Sequence, residues 1–429
     1  MSHKSYALSC MTKVEGHAKL EVEMDGNKVK KAEIAVFEPS RYFEHMVRGK
    51  PFDMVPTISQ RICGICSVIH TVTSIKAVEN AIGVKASQET HDLRRLLLHA
   101  SNIHSHTAHL FFFAAPDYLG VGDVMEIARK NRDKMELAIR LQKISSGIVR
   151  KIGGRPLHPV NCRVGYFNSV PDKSMVTELM SDFRDLKKLS TEAAELFFSF
   201  RYPDFENPTN YLSVKEKNSY DLYEGDIGVL GEKGFKVKDY QKHLEEETIY
   251  RSTAKYARYD GKPYMTGALA RLNIMGDRLS KSARSIVRKH KLKLPNFSTF
   301  TNNISQAVEM VHFCDRALEV LSKYEKTGFR EEKRKIKPRG GEGIAACEAP
   351  RGTLIHHYKF DSKGICTYAN IMTPTCQNVR NMESDMQKWM PELIKKNDEK
   401  VKHSLEMLIR AYDPCFSCST HFLNFNLKR

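Results

Sequence analysis

Two short motifs near opposite ends of the chain organise the sequence, R-I-C-G-I-C-S-V-I-H at residues 61–70 and D-P-C-F-S-C-S-T-H at residues 413–421. Each contains two cysteines separated by two residues, a spacing that lets one tight turn point both sulfurs at the same ion. The four cysteines are Cys63, Cys66, Cys415 and Cys418. Four sulfurs that meet in space form a soft, anionic site for a transition metal. If both pairs share one site, the two ends of the chain must meet in a single core.

The composition is that of a large globular protein. The chain has 429 residues, of which 41% are hydrophobic, and this is enough for a sizeable core. No apolar run approaches the roughly 20 residues of a membrane-spanning helix, and the opening M-S-H-K-S-Y-A-L-S-C is too polar for a secretory signal. We therefore expect a cytoplasmic chain with no direct membrane span, whose ten cysteines are metal ligands or buried side chains.

The formal net charge of +17 makes nucleic-acid binding a first hypothesis. The lysines, however, are spread along predicted helical faces and are not gathered with aromatic residues in a recognisable binding module. The densest basic run, Arg330 to Arg339, is interpreted first as a solvated loop and second as a surface for an acidic partner. We expect no nucleic-acid partner.

Hydrophobic periodicity predicts helices over most of the chain. The long ones are predicted at about 87–115, 124–149, 173–200, 236–250, 268–289, 305–326 and 379–412, with shorter helices at 41–48 and from the first cysteine motif to Gly83. Two β-hairpins are predicted, one within 14–38 that turns at Asp25-Gly26 and one within 348–372 that turns at 361–364. The stretch 202–234 is predicted to contain further β-structure.

The predicted helix 87–115 is rich in histidine. Its histidines are His91, His99, His104, His106 and His109. Helical zinc sites place two histidines and a carboxylate on one face, as in H-E-x-x-H, and this arrangement is missing here. We therefore predict no dedicated metal site on this helix.

A structural zinc site is the simplest alternative for the two cysteine pairs. In small zinc modules the pairs lie about 15–20 residues apart because the metal replaces a core, whereas 352 positions separate Cys66 from Cys418. A thioredoxin-like role needs a C-x-x-C at a strand-to-helix junction of a βαβ unit, which the pattern lacks. Spacing alone favours a catalytic or redox metal and leaves structural zinc and two unrelated pairs open.

Proton or electron chemistry at such a metal needs an acid–base group and a fixed cation beside the thiolates. The sequence offers one candidate of each kind: Glu15 in V-E-G-H (14–17) and Arg351 in A-P-R-G (349–352). Taken alone, either residue could equally be structural.

Several separated motifs together resemble the large, catalytic subunit of nickel–iron hydrogenases. They are V-E-G-H at 14–17, R-I-C-G-I-C-S-V-I-H at 61–70, A-P-R-G at 349–352, T-P-T at 373–375 and D-P-C-F-S-C-S-T-H at 413–421. They occur in the family's order and span nearly the whole chain. The cysteine motifs are highly specific, and the others are weak alone. The related respiratory-complex subunit with the same fold lacks the four cysteines, so their presence favours an active enzyme.

The resemblance implies a mainly α fold, a single large helical-bundle domain over residues 1–429 with small peripheral β-hairpins, in which the two cysteine motifs meet at a buried metal site. It also implies a Ni–Fe centre whose iron carries carbon monoxide and cyanide. Cys63 and Cys415 match the terminal nickel ligands, and Cys66 and Cys418 match the cysteines that bridge nickel and iron.

The resemblance assigns roles near this centre as well. Glu15 matches the glutamate that takes protons from a terminal cysteine. Arg351, after Pro350, matches the arginine above the open nickel–iron position. Thr375 matches a residue whose hydroxyl bonds a cyanide, and His70 matches a histidine near the iron.

A second ion is implied near the C-terminus. Glu44 and His421 match ligands of a separate magnesium-type ion, either Mg or Fe. Family precursors also carry a tail beyond the final histidine, which a maturation endopeptidase removes after nickel insertion. Residues 422–429 follow His421, and we expect cleavage between His421 and residue 422.

The implied reaction is the reversible heterolytic cleavage of H2. Electrons must then leave through iron–sulfur clusters, and the remaining cysteines of this chain lack ferredoxin-like spacing. We therefore expect an iron–sulfur small subunit, another electron-transfer subunit, and a soluble acceptor. Two alternatives stay open, namely a membrane-associated energy-converting hydrogenase module and a non-catalytic structural paralogue that binds zinc.

Two departures from the family pattern narrow the assignment. Many respiratory members have an aspartate where this chain has Ser105, between His104 and His106. Together with the modest length and the lack of an export signal, this favours the cytoplasmic, cofactor-coupled group. After His158-Pro159, in a loop that faces the small subunit in the family, the usual glycines are replaced by C-R-V-G at 162–165, which weakens that interface assignment.

Overall fold

The computed structural model describes residues 3–9, 11–330, 332 and 335–421. The expected processing tail (422–429), Cys10 and part of the basic run 330–339 lie outside the described residues. The helices are α1 Phe43–Met46, α2 Val55–Ser59, α3 Ser67–Ile82, α4 Gln88–Ala108, α5 Ala115–Leu119, α6 Val124–Lys130, α7 Arg132–Gly153, α8 Lys173–Ser199, α9 Ala268–Met275, α10 Lys281–Lys289, α11 Thr301–Ser322, α12 Pro374–Leu393 and α13 Asp398–Ala411.

The strands among the described residues form five sheets. They are β1 His3–Leu8, β2 Ala18–Asp25, β3 Lys28–Val36, β4 Cys162–Arg163, β5 Tyr166–Phe167, β6 Asn210–Lys215, β7 Asp226–Val229, β8 Glu232–Phe235, β9 Leu244–Thr248, β10 Lys255–Tyr259, β11 Tyr264–Met265, β12 Gly341–Ala349, β13 Gly352–Phe360 and β14 Cys366–Met372. Sheets β1-β2-β3 and β12-β13-β14 are antiparallel meanders, and β11-β6-β7-β8 is mixed.

A helical layer forms one side of the core. Helices α4, α7, α8 and α11 pack on one another, and each presents an apolar stripe at helical spacing, as the periodicity predicted. Ser87 caps α4 by accepting a bond from the Thr90 N–H, and Asp172 caps α8 in the same way. Helix α4 continues through a π-helical turn, His109–Ala114, into α5. The histidine-rich helix predicted at 87–115 is therefore present.

The sheet β12-β13-β14 lies inside the molecule. Helix α3, which follows the first cysteine pair, packs on β12 and β13, and nearly every residue of β13 is buried. This corrects the expected fold class, because the second predicted hairpin is a three-stranded, buried sheet and not a small peripheral element. Most residues of its strands are buried on both faces, although several of them are polar.

The two ends of the chain meet through the backbone. Glu15 and Cys415 form an isolated parallel bridge, and the Phe416 N–H donates to the Glu15 carbonyl at 2.9 Å. The N-terminal sheet packs through β3 against α12. The second cysteine motif is thereby enclosed between the first residues of the chain and the first cysteine motif.

Several predicted helices are wrong in extent or kind. Residues 236–250 form a short 3-10 helix, Val237–Lys242, and then strand β9, whose glutamates pair with the basic residues of β10. The helix predicted at 268–289 breaks at Gly276, and Ser280 caps α10. The helix predicted at 379–412 is two helices, since α12 ends two residues after Pro391 and Asn397 caps α13.

The helix predicted at 124–149 is likewise divided, at Asn131, into α6 and α7. Among the described residues, none of the helices combines the length and apolar character needed to cross a membrane.

Candidate metal centre

The structure brings the four motif cysteines together. The Cys63 and Cys415 sulfurs lie 3.8 Å apart, as do those of Cys66 and Cys418. Each of these side chains is at most 6% exposed. Cys415 and Cys418 are joined as a disulfide, so a metal that binds both sulfurs requires this pair in the reduced form.

The first pair is presented by the start of a helix. Cys63 follows the 3-10 turn Gln60–Ile62, and Cys66 is the N-cap of α3. The Cys66 N–H donates to the Cys63 sulfur at 3.3 Å. The hydrogen bond with Cys66 and the charge of Arg351 lower the pKa of the Cys63 thiol, whereas the bond to Cys63 and burial raise that of Cys66. The Cys63 thiol therefore loses its proton more readily than the Cys66 thiol.

The second pair is held by a tight turn after α13. Asp413 has a left-handed backbone conformation, with φ of 54°, which turns the chain back toward the first pair. The Cys415 N–H donates to the Thr375 hydroxyl at 2.9 Å. Thr375 lies in the first turn of α12, so the start of that helix fixes the position of the Cys415 backbone.

Glu15 reaches the same cysteine from the other side. Its Oε2 lies 3.0 Å from the Cys415 sulfur and accepts the Ser417 N–H at 3.3 Å. The Ser417 hydroxyl donates to the other carboxylate oxygen. The motif glycine explains this close approach, because a Cβ on Gly16 would lie 2.7 Å from the Ser417 nitrogen.

Arg351 is buried above the cysteines and tied to Asp413. Its Nε donates to the Asp413 carbonyl at 2.8 Å, and its Nη2 lies 3.0 Å from the Asp413 carboxylate. Burial alone would lower the pKa of Arg351, but Asp413 and the cysteines raise it, so the guanidinium is charged. Its Nη1 is buried without a hydrogen-bond partner.

The turn that carries Arg351 is fixed on both sides. A Cβ on Gly352, whose φ is 130°, would clash with Thr266 at 2.4 Å, so the A-P-R-G turn needs this glycine. Arg271 donates to the carbonyls of Ala349 and Pro350 at 2.9 and 3.3 Å. Arg271 itself is completely buried between Glu309 and Glu348.

A small cavity lies between these groups. It is lined by His70, Pro350, Arg351, Thr375 and three of the four cysteines. The residues present fit a Ni–Fe centre. They supply four soft donor sulfurs and, in the Arg351 Nη1 group, N–H donors unpartnered among the described residues that suit small anionic ligands on the metal.

Glu44 and His421 lie close together, 3.6 Å apart, at the edge of sheet β12-β13-β14. The His421 Nε2 faces the Ile371 carbonyl, and its Nδ1 lies 2.7 Å from the Cys418 carbonyl. Lys255 donates to the Glu44 carboxylate at 2.9 Å. Burial opposes ionisation of Glu44, but His421 and Lys255 lower its pKa to about 2. An anionic oxygen, a carbonyl and an imidazole thus converge, a donor set suited to a hard or borderline divalent ion.

Four of the five histidines of α4 and its π-helical turn are hydrogen-bonded within the protein, and the fifth, His99, is buried and stacks on Phe313. His106 Nε2 lies 2.8 Å from Glu309, and His109 bridges Gln306 and the Arg410 carbonyl at 2.6 and 2.7 Å. Within the described part of the chain, the side-chain groups spaced to hold a metal are Cys63-Cys66-Cys418 and Glu15-Cys415-Cys418.

Sequence reasoning did not assign roles to Asp413, Arg271 or Lys255. Asp413 stands in the quoted D-P-C-F-S-C motif, so the motif itself held the signal. Arg271 and Lys255 had no local signal, because the carboxylates that place them at the site, those of Glu309, Glu348 and Glu44, are 38 or more positions away in the chain.

The model of the family "Nickel-dependent hydrogenase" matches residues 41–169 and 204–421. The chain belongs to this family. It is therefore an oxidoreductase that acts on H2. Similar sequences include the alpha subunit of sulfhydrogenase 1 from Pyrococcus furiosus, 30% identical over 413 residues that cover 96% of each chain. Another belongs to an F420-non-reducing hydrogenase of Methanothermobacter thermautotrophicus, 31% identical over 97% of this chain and 95% of that one.

Solved hydrogenase structures have the same fold. The NAD+-reducing [NiFe]-hydrogenase in the H2-reduced state superposes with a TM-score of 0.84 at 25% identity, over 97% of this chain and 99% of that chain. The [NiFeSe]-hydrogenase of Dm. baculatum gives 0.81 at 22% identity, over 98% and 100%. The latter likeness concerns the fold alone. Membership of this family supports a Ni–Fe centre in this chain.

Proposed function

We propose that this chain is the catalytic subunit of a cytoplasmic hydrogenase that cleaves H2 heterolytically and reversibly. The observation that carries this proposal is that four cysteine sulfurs, a carboxylate in contact with one of them and a buried guanidinium lie together around one small cavity. A structural metal site needs the sulfurs alone. The acid–base group in contact with one sulfur and the fixed cation are what proton chemistry additionally requires.

Cys63 and Cys415 would be the terminal nickel ligands, and Cys66 and Cys418 would bridge nickel and iron. The sulfurs of the two terminal cysteines, Cys63 and Cys415, lie 3.8 Å apart, and so do those of the two bridging cysteines, Cys66 and Cys418. These distances are consistent with the assigned roles. When bound, a Ni–Fe centre with carbon monoxide and cyanide on iron supplies the Lewis acidity that polarises H2. Burial of all four sulfurs keeps water from competing for the site.

Glu15 would receive the proton. Its carboxylate is 3.0 Å from the Cys415 sulfur, within reach for direct transfer from a protonated cysteine. The Ser417 N–H and hydroxyl hold the carboxylate in this orientation. Because Glu15 is only partly buried, it can pass the proton on toward solvent.

Arg351 would supply fixed positive charge above the open metal position. Asp413 accepts a hydrogen bond from its Nε and forms an ion pair with its Nη2, and its third nitrogen, Nη1, has no hydrogen-bond partner among the described residues. A guanidinium stays charged and is planar, so it can stabilise negative charge that develops beside the metals. Pro350 gives the turn its shape, and Thr375 and His70 line the same cavity as hydroxyl and imidazole groups that can bond a cyanide or a sulfur.

Glu44 and His421 would bind a magnesium-type ion, Mg or Fe, together with the Ile371 carbonyl. Such an ion would tie the end of the second cysteine motif to β14 and α1. We propose that a maturation endopeptidase cleaves the chain after His421. Mass spectrometry of the nickel-loaded protein tests this cleavage, and an intact Arg429 would contradict it.

We propose that residues 1–429 form one domain and that electrons pass to a separate iron–sulfur small subunit. The relatives carry names of individual hydrogenase subunits, which supports a multi-subunit enzyme. A further subunit would pass electrons to a soluble acceptor, and the printed names of relatives include NAD-reducing and F420-non-reducing hydrogenases. We infer no nucleic-acid partner.

Infrared spectroscopy with metal analysis on the purified mature complex tests the proposal. We expect carbonyl and cyanide bands, together with nickel and iron. Zinc in the cysteine site without these bands would show a structural paralogue instead. Antiporter-like partners in the purified complex would instead indicate a membrane-associated energy-converting module.

A further inference from the structure

A continuous hydrogen-bonded series leads away from the cavity through sheet β12-β13-β14. His70 Nδ1 lies 3.1 Å from His356 Nε2, and His356 Nδ1 lies 2.5 Å from the Tyr358 hydroxyl. The Tyr358 hydroxyl lies 3.2 Å from the Ser74 hydroxyl. His356 and Tyr358 are two positions apart on β13, so they share one face of the strand, while His70 and Ser74 are one turn apart on α3. The helix and the strand thus each contribute two members.

All four side chains are buried, each at most 1% exposed. Burial lowers the pKa of His70 to about 3 and lowers that of His356 well below its ordinary value. Both imidazoles are therefore neutral and carry one ring N–H each. The position of one proton in the series fixes the positions of the others.

Two arrangements satisfy the contacts. In the first, protons are donated toward the cavity: Ser74 donates to Tyr358, Tyr358 to His356 Nδ1, and His356 Nε2 to His70 Nδ1. His70 then carries its proton on Nε2, the nitrogen left for the cavity that His70 lines. In the second, every bond is reversed, and the series ends with the Ser74 hydroxyl proton.

The surroundings favour the first arrangement. Tyr358 is the partner that the structure gives to the Ser74 hydroxyl, so in the reversed series the Ser74 proton has no acceptor among the described residues. At the near end the cavity is lined by cysteine sulfurs, which are hydrogen-bond acceptors. A donor facing the sulfurs is stabilised, whereas an imidazole lone pair facing them is repelled.

We propose that Tyr358 and His356 are positioning residues that hold His70 in the tautomer with its proton on Nε2, so that an N–H points at the cysteine sulfurs. The two residues touch neither the cavity nor the cysteines, and they act through the hydrogen bonds of His70. The benefit of that N–H to a metal centre rests on the proposed function, but the tautomer itself is a property of the metal-free chain.

Nitrogen NMR of the full-length chain labelled with [15N]histidine tests the tautomer directly. Protonated and unprotonated ring nitrogens have well-separated shifts, and the His70→Gln variant identifies the His70 signals. We expect wild-type His70 to be a single tautomer protonated on Nε2. In Tyr358→Phe the donor to His356 is lost, and we expect His70 to become a mixture of both tautomers. A wild-type proton on Nδ1, or an unchanged tautomer in Tyr358→Phe, would overturn the proposal.

Two further variants separate this role from a general loss of packing. Tyr240→Phe removes a buried hydroxyl that lies 3.2 Å from His357 Nδ1, on the neighbouring residue of the same strand, and we expect His70 to be unaffected. Ser74→Ala removes a donor to Tyr358 and leaves the donation from Tyr358 to His356 intact, so His70 should keep its Nε2 proton. A shift of that proton to Nδ1 in Ser74→Ala would overturn the proposal, because the Ser74 donor and not the donation from Tyr358 to His356 would then fix the His70 tautomer.

Infrared spectra of the mature complex supply the second readout. We expect Tyr358→Phe to shift or broaden the cyanide bands at wild-type metal content, and Tyr240→Phe to leave them in place. Unmoved bands in Tyr358→Phe count against the positioning role alone. Absence of these bands from the wild-type complex would instead contradict the proposed function, while the NMR result on the metal-free chain would still stand.

Discussion

Arg351 and Asp413 form a buried ion pair at the top of the cysteine cavity, with 3.0 Å between the Arg351 Nη2 and the Asp413 carboxylate. Both side chains are at most 4% exposed. Asp413 stands two positions before Cys415, so the residue that orients the cation belongs to the same tight turn that presents a sulfur. A movement of the turn would move the thiol and the guanidinium together.

Asp413→Asn should therefore lower hydrogenase turnover without removing the metals. The amide keeps the shape but leaves Arg351 less firmly oriented and without its counter-charge. We expect turnover per nickel to fall by about 10- to 100-fold, the usual cost of losing a group that orients others at a metal site. The matched control is Asp117→Asn, which removes a carboxylate from the buried pair with Arg410. Equal losses in both variants would indicate general destabilisation.

Glu15→Gln should stop H/D exchange while metal content stays at the wild-type level. The amide can still bond Ser417 but cannot accept a proton from Cys415, and general-base groups typically contribute about 10²–10⁴-fold. Exchange of D2 with solvent protons and nickel analysis on the same sample provide the measurement. Glu38→Gln, in the same N-terminal segment and paired with His17, is the control. Unchanged exchange in Glu15→Gln removes this residue from the proton path.

Many residues of the candidate metal centre could be predicted because they lie in short local sequence motifs. The C-x-x-C spacing by itself predicts that both sulfurs of a pair point at one ion. The motifs V-E-G-H and A-P-R-G contain the glycines that the close contacts of residues 16 and 352 require. The bond between Glu15 and Cys415 was not readable from spacing, since these residues are 400 positions apart. The resemblance to the hydrogenase family predicted that Glu15 acts on a terminal cysteine, and the structure supplies the 3.0 Å distance between its carboxylate and the Cys415 sulfur.

The errors in the fold have physical reasons that differ from element to element. The breaks at Ser280 and Asn397 follow ordinary N-cap chemistry, so closer attention to capping residues would have found them. Strand β9 reads L-E-E-E-T, which has no apolar alternation, and its pairing depends on the basic residues of β10. The depth of sheet β12-β13-β14 depends on α3, which lies more than 250 positions earlier and gives no local signal.

Thr375→Val should destabilise the second cysteine turn. The Thr375 hydroxyl accepts the buried Cys415 N–H, and valine leaves this donor unsatisfied at a cost of about 1–3 kcal/mol. Thr375→Ser keeps the hydroxyl and should lie close to wild type. Urea unfolding of the metal-free chain measures the loss, and nickel content after maturation measures its consequence. Equal stability of the valine and serine variants would show that this bond does not hold the turn.

Glu309 should make the stability of the protein depend on acid pH. It is fully buried, and although burial opposes ionisation, Arg271 and His106 lower its pKa to about 2 from an ordinary 4.5. A carboxyl whose pKa is depressed on folding stabilises the folded state above its unfolded pKa, and this contribution is lost as pH falls from about 4.5 to about 2. The shift corresponds to a free energy of order 3 kcal/mol.

Urea unfolding of the metal-free chain between pH 3 and pH 7 measures this contribution. Glu309→Gln should lower stability at pH 7 and flatten the decline toward acid, because the group that binds the extra proton on unfolding is gone. Glu319→Gln, at an exposed position of the same helix α11, should keep the wild-type slope. If Glu309→Gln retains the full acid decline, the pH dependence originates in other carboxylates. The Arg271 network would then hold the A-P-R-G turn without setting the acid stability of the protein.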